Sequence, residues 1–264
     1  MNNAGKGRWR IIFIATVFNL MFEFSLRGVA GIVAHPVLPI LLFVVYFTYF
    51  TIVEDLILRY RLKDYHLMFV AFIFGTIAQF LISGTALDSE GAMGVNWGRF
   101  LFVNLVWWGA LQTILALYIA NRIVSRNWEH KHVSKAGWGL SLLIILGIII
   151  LFRASGIIPD VSRPAFWAMV ISLAISFLPL PVSIRGRAAR SAQPTFQKSG
   201  LMDILGLVTV LIFVGSGCFL TANPSQVGAS VVGVGALRFV SVWTGVLGLV
   251  MLGYRVLSRR EISV

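Results

Sequence analysis

Asn19, Glu23 and Arg27 follow one another at four-residue intervals inside an apolar stretch that runs from about residue 11 to residue 33. On a helix this spacing stacks the three side chains on one stripe, one turn apart. A carboxylate at membrane depth is costly unless it meets a partner or water, so such residues mark proton, ion or substrate paths. Two readings follow from the residue types. In the functional one, Glu23 holds a proton or cation, or lines a polar cavity, with Asn19 beside it. In the structural one, Glu23 and Arg27 form an ion pair that only ties this helix to a neighbour, and such a pair argues for little beyond specificity. Arg27 is also close enough to the end of the stretch to snorkel.

A second charged group, Glu54, Asp55 and Arg59, stands at the end of the next apolar stretch. Glu-Asp-x-x-x-Arg resembles, over six residues, the Glu-Glu-x-x-x-Arg motif of the intramembrane CAAX-protease and bacteriocin-processing family. That family also requires a Phe-x-x-x-His motif and a further histidine within its later helices. Here His35, His66, His130 and His132 fall at stretch ends or in loops, and none has Phe four residues before it. The resemblance is therefore not adopted. The expectation is an interfacial charge cluster in which Arg59 and Arg61 offset Glu54 and Asp55.

The fourth apolar stretch, about 100–121, carries Asn104, Gln112 and Thr113, with Trp107 and Trp108 between them. Asn104 and Gln112 are eight apart, which on an α-helix puts them on one face. They are expected either to hydrogen-bond between helices or to line a polar groove, which Gln79 of the third stretch would join. Asp203, in the first turn of the seventh stretch, suits the positive end of a helix dipole. Trp97, Trp138, Trp167 and Trp243 lie near stretch ends and read as an aromatic belt.

The elements that must position these residues are membrane helices. Only 12% of the 264 residues are charged, and mean hydropathy is +0.87, where soluble domains average about 25% charged residues. About 20 apolar residues cross a bilayer as a helix. Eight stretches qualify, at roughly 11–33, 36–53, 65–83, 100–121, 137–153, 164–184, 200–221 and 237–257. The expected fold is thus an all-α integral membrane bundle of about eight transmembrane helices, forming one polytopic domain over 1–264. Pro36 and Pro164 open the second and sixth spans, where a missing amide is tolerated. The stretch 223–236 is Gly-rich and nearly uncharged, and reads as a loop rather than a re-entrant segment.

The net charge of +12 finds its explanation in the alternation of loops. With the N-terminus in the cytoplasm, the inner segments hold Lys6, Arg8 and Arg10; Arg59, Arg61 and Lys63; Arg122, Arg126, Lys131 and Lys135; Arg185, Arg187, Arg190 and Lys198; and Arg255, Arg259 and Arg260. The outer side keeps Arg27, Arg99, Arg153, Arg163 and Arg238, and no lysine. This is the positive-inside pattern, with both termini cytoplasmic and the cell (inner) membrane as location. It removes nucleic acid as the explanation for the charge. The partners expected are the lipid bilayer, anionic headgroups at the inner loops, and either a protein partner or a second copy of the chain. Lys6, Arg8 and Arg10 flank a run too long for a signal peptide and interrupted by Glu23, so a retained first helix is expected.

An internal duplication is a further reading, with parallel halves 1–130 and 131–264. Asn121-Arg-Ile-Val-Ser-Arg126 parallels Tyr254-Arg-Val-Leu-Ser-Arg259, and Arg99-Phe100 parallels Arg238-Phe239. Arg27 and Arg153 close spans one and five, and Pro36 and Pro164 open spans two and six.

Absent motifs narrow the chemistry. There is no phosphate loop, no Gly-x-Ser-x-Gly elbow, no His-Glu-x-x-His and no Cys/His cluster, Cys218 being the single cysteine. No histidine or lysine lies mid-span to hold a haem or a Schiff base, so no cofactor and no metal are expected. Three functions remain. The first is a small transporter or permease component with a polar path at Asn19, Glu23, Arg27, Asn104 and Gln112. The second is a non-catalytic membrane assembly subunit. The third is an intramembrane enzyme acting on a lipid or prenyl substrate, with Glu23, Glu54 and Asp55 as acid/base groups and Arg59 as anion contact.

Overall fold

The computed structural model describes residues 4–34, 37–124, 126, 132–156, 158–181 and 199–222. Among them the chain is helical and carries no strand beyond an isolated bridge between Leu87 and Val95. We number the long helices in chain order: α1 Ala4–Ala34, α2 Val37–Tyr60, α3 Asp64–Ile82, α4 Trp97–Ile123, α5 Lys135–Ala154, α6 Arg163–Pro181 and α7 Gly200–Ala222. The helices α2 to α6 are each long and apolar enough to cross a membrane, and they are those of an integral membrane protein. Seven of the eight expected spans thus correspond to helices. The eighth, 237–257, lies outside the described residues, as do Pro36, the loop 223–236, Trp243 and the basic loop carrying Arg185, Arg187, Arg190 and Lys198. The counterpart of α4 in the proposed duplication is that same 237–257.

Local chemistry explains where the helices start. The Ser134 hydroxyl accepts the Gly137 amide at 3.1 Å and caps α5. Ser162 does the same for the Ala165 amide at 3.3 Å, with Pro164 in the first turn of α6. Asn96 caps α4 by accepting the Arg99 amide at 3.0 Å. Each cap satisfies an amide that has no partner within the helix, where an apolar surrounding would make it expensive.

Contacts at the two ends show successive helices alternating in direction. Arg8 at the start of α1 reaches Asp55 near the end of α2, Trp138 at the start of α5 reaches the same residue, and Arg122 at the end of α4 reaches Asp203 at the start of α7. At the opposite end, a cluster of Phe80, Ala86, Val95, Phe100, Ala165 and Met169 joins α3, the loop after it, α4 and α6. We call the first the basic end.

The core forms around α4, the most buried of the membrane-length helices. α1 packs on α2, α4 and α7, while α3 packs on α4 and α6. α5 lies on α2 and the last turn of α3, with Leu142, Leu143, Leu146 and Ile150 turned outward as a lipid-facing surface requires.

The winding of two helices departs from the expected α form. Ala78–Ile82 at the end of α3 and Val103–Leu115 in the middle of α4 are π-helical, with backbone rings closed to the fifth residue. Such segments are rare, short as a rule, and concentrated at functional sites. The Thr113 hydroxyl follows the same register, donating to the Trp108 carbonyl five residues back at 2.6 Å.

Candidate functional site

Polar side chains meet in two places, one inside the bundle and one at its basic end. The interior group sits where α1, α2 and α4 converge. The Tyr46 hydroxyl of α2 donates to Glu23 Oε1 of α1 at 2.6 Å. The Gln112 side-chain amide of α4 donates to the Tyr46 oxygen at 2.8 Å. Asn19 of α1 donates through Nδ2 to the Gln112 backbone carbonyl at 3.1 Å. One turn toward the basic end, the hydroxyls of Tyr49 and Thr113 are bonded at 2.5 Å. Asn19, Gln112 and Thr113 are fully buried, and Tyr46 and Tyr49 nearly so.

The orientation of the Gln112 amide follows from this chain. With the Tyr46 proton committed to Glu23, the phenol oxygen can only accept, so Gln112 must present nitrogen to it. That leaves Gln112 Oε1 buried without a hydrogen-bond partner among the described residues, and Asn19 Oδ1 is in the same condition. Buried polar atoms are nearly always satisfied, so each exception calls for an explanation in ligand, water or function.

Of the residues expected to form one path, the structure brings together Asn19, Glu23 and Gln112. The side chain of Arg27 lies outside the described ones. Asn104 is placed elsewhere. It is fully buried with neither amide atom bonded among the described residues, and it packs against α3, where a Cβ on Gly75 would collide with its Oδ1 and with the Trp108 ring. Asn104 and Gln112 thus contact different helices, the first α3 and the second α1 and α2. Gln79 joins neither group; its Nε2 donates to the Phe100 carbonyl at 3.3 Å.

The group at the basic end contains both acids of α2, each without solvent exposure. Glu54 is held by Arg126 through two bonds of 2.8 and 2.7 Å, the fork geometry in which guanidinium meets carboxylate best. Asp55 Oδ1 accepts the Val133 amide at 2.6 Å and lies 3.6 Å from Arg8 and 3.8 Å from His132. Asp55 Oδ2 accepts Arg59 at 3.1 Å and the Trp138 indole N–H at 2.8 Å. Arg8 precedes the apolar stretch of α1. Burial lowers its guanidinium pKa from the ordinary value, while the carboxylates of Asp55 and Glu54 act in the opposite direction.

Arg59 offsets Asp55, as the sequence suggested. Glu54 takes its counter-ion from beyond α4, and Asp55 draws on α1 and α5 as well. Trp138 is not only a belt residue, since its N–H is bound to a buried carboxylate. Arg8, Arg126 and Val133 carried no site signal in the sequence. Basic residues at span ends look alike until the fold shows which acid they face. Trp97 and Trp167 remain near helix ends, the first donating to the Ala92 carbonyl at 3.0 Å and the second exposed. Asp203 lies in the first turn of α7 and also binds Arg122 through bonds of 2.8 and 2.7 Å and the Tyr118 hydroxyl at 2.8 Å.

Chemically the two groups differ. All four carboxylate oxygens of Glu54 and Asp55 accept a hydrogen bond. The interior group keeps buried carbonyl oxygens open beside a single carboxylate. No grouping of three or more His, Cys, Asp or Glu able to hold a metal ion occurs among the described residues. No protein-family model, no curated protein and no solved structure matches the chain.

Proposed function

We propose that the chain is a small transporter or permease component of the cell membrane, with both termini in the cytoplasm, and that its polar path passes between α1, α2 and α4 at Glu23. The observation that supports this reading is the interior group itself. A carboxylate, two phenols and two amides stand at membrane depth with Asn19 Oδ1 and Gln112 Oε1 unsatisfied. Half-satisfied buried polar groups are costly, and these two carbonyls belong to neighbouring members of one network beside Glu23. The π-wound middle of α4 delivers Gln112 and Thr113 to this point, as irregular helices in transporters do where they line a path. The ion pairs that hold Glu54 and Asp55 favour a clamp over acid/base catalysis.

The test is access. In a Cys218→Ser background, single cysteines at Asn19 and Gln112 are exposed to a membrane-impermeant thiol reagent in intact cells and in inside-out vesicles. A path predicts labelling from at least one side without detergent. Labelling only after solubilisation and unfolding would overturn it.

A further inference from the structure

The hydrogen-bond chain at Glu23 runs in one direction, and the unsatisfied Oε1 of Gln112 is the atom that the opposite direction would use. As it stands, Tyr46 donates to Glu23 Oε1 and Gln112 Nε2 donates to Tyr46, while Gln112 Oε1 and Asn19 Oδ1 have no partner among the described residues. Add one proton to Glu23 and the logic reverses. The carboxylic acid becomes a donor and the Tyr46 oxygen its acceptor. The phenol proton then turns to Gln112, which can receive it only by rotating its amide and presenting Oε1. The rotated Nε2 leaves Tyr46 and takes the place that Oε1 held. The unsatisfied Oε1 of Gln112 gains a donor, and no group is moved by more than a bond rotation.

We propose that Glu23 is a reversibly protonated site whose protonation inverts the Glu23–Tyr46–Gln112 chain, so that the proton is the ion this path carries. This deepens the transport reading and rests on it for the role of the proton, although the inversion itself stands on the network alone. The balance is simple: one proton enters from water, one O–H forms on Glu23, the Tyr46 proton changes acceptor, and the carboxylate charge is neutralised. A divalent cation fits less well. Calcium takes about six to eight oxygens, and the site supplies one carboxylate, the Tyr46 phenol and two amide carbonyls.

Among the described residues, the titratable and charged groups around Glu23 are these. On α1 itself, Arg27 follows one turn later, its side chain outside the described ones. From α2 comes Tyr46. α4 contributes Gln112, its charged residues Arg99 and Arg122 standing at its two ends, and Trp107, whose ring lies 6.3 Å from that of Phe22. On α7, Asp203 is at the basic end, bound to Arg122, and the side chain of Cys218 lies outside the described ones. Arg8, Glu54, Asp55 and Arg59 form the separate cluster at the basic end.

The experiment is infrared difference spectroscopy of the full chain in lipid nanodiscs, recorded between alkaline and acidic buffer. The expected result is a protonated-carboxyl carbonyl band that appears on acidification together with a side-chain amide change. Glu23→Gln removes the band. Tyr46→Phe, which deletes one oxygen and leaves the fold in place, shifts its frequency, because the acid has lost its acceptor. Gln112→Leu removes the amide change. A carboxyl band that survives Glu23→Gln, or an amide change indifferent to Gln112→Leu, would overturn the inversion. So would a spectrum indifferent to acid that responds instead to sodium or calcium chloride at alkaline pH. Because the spectrum needs no transmembrane route, its failure is separable from that of the path, which the thiol labelling reads.

Discussion

The two polar groups use the same side-chain chemistry to different ends. At the basic end two carboxylates face three arginines, an indole N–H and a backbone amide, and every carboxylate oxygen is engaged. In the interior one carboxylate faces a phenol and, through it, an amide that is itself half satisfied. Charge matched by charge fixes geometry, because any departure leaves a buried ion exposed to low dielectric. A neutral hydroxyl and amide can exchange donor and acceptor roles without moving charge. The difference lies in what the carboxylates meet among the described side chains: guanidinium groups at the basic end, the Tyr46 hydroxyl in the interior.

Substitutions test that contrast. The largest effect is expected at the clamp. Arg126→Ala strands Glu54 without its fork partner and should lower unfolding free energy in nanodiscs by about 3–5 kcal/mol. Arg126→Ala combined with Glu54→Ala should cost clearly less than the two single losses added, since the pair acts as a unit. Additive losses would mean that Glu54 is not held by Arg126, and the contrast would fail.

A smaller loss is expected where α3 meets α4. Gly75→Ala pushes a methyl into Asn104 and Trp108 and should cost about 1–3 kcal/mol by overpacking. It should also reduce thiol labelling at Gln112, through displacement of α4. Unchanged stability would show that Asn104 yields easily and that α4 is not seated there.

In the interior the expected stability change is smaller still. Glu23→Gln keeps an acceptor for Tyr46 and should shift stability by about 1 kcal/mol, while abolishing acid-dependent spectral change. A loss as large as that at Arg126 would place Glu23 among the clamps and erase the distinction. The smallest effect belongs to Asp203→Asn. Arg122 and Asp203 are each 36% exposed, so solvent and salt screen the pair, and the loss should be below about 1 kcal/mol and shrink at high salt.

Sequence and structure agree on the interior site in an uneven way. The four-residue step from Asn19 to Glu23 and the polar Gln112 are legible because apolar spans throw polar residues into relief. Tyr46 is not, since a phenol among the many aromatic residues of α2 gives no period or contrast. Arg126 and Arg8 are invisible as partners for a different reason. They meet Glu54 and Asp55 across long stretches of chain, and each also fits the topology signal by itself. The seat of Asn104 against α3 is not legible either, because spacing along one helix does not say which neighbour packs at each position. The π winding of Val103–Leu115 has no mark in the sequence beyond the polar residues it displays. Helix placement was the most legible part, being set by runs of apolar residues against short polar breaks, and the caps Ser134, Ser162 and Asn96 stand at three of those breaks.

The π winding of α4 also bears on length. Trp97–Ile123 contains 27 residues, which as a straight α-helix would extend about 40 Å against a hydrocarbon core of about 30 Å. Backbone rings closed to the fifth residue put an extra residue into each turn and shorten the rise. The central helix therefore brings more side chains to each ångström of bilayer depth than its neighbours do. Asn104, Trp107, Trp108, Gln112 and Thr113 are crowded into the middle of the helix, and a small chain gains the inner surface of a larger one without a longer span.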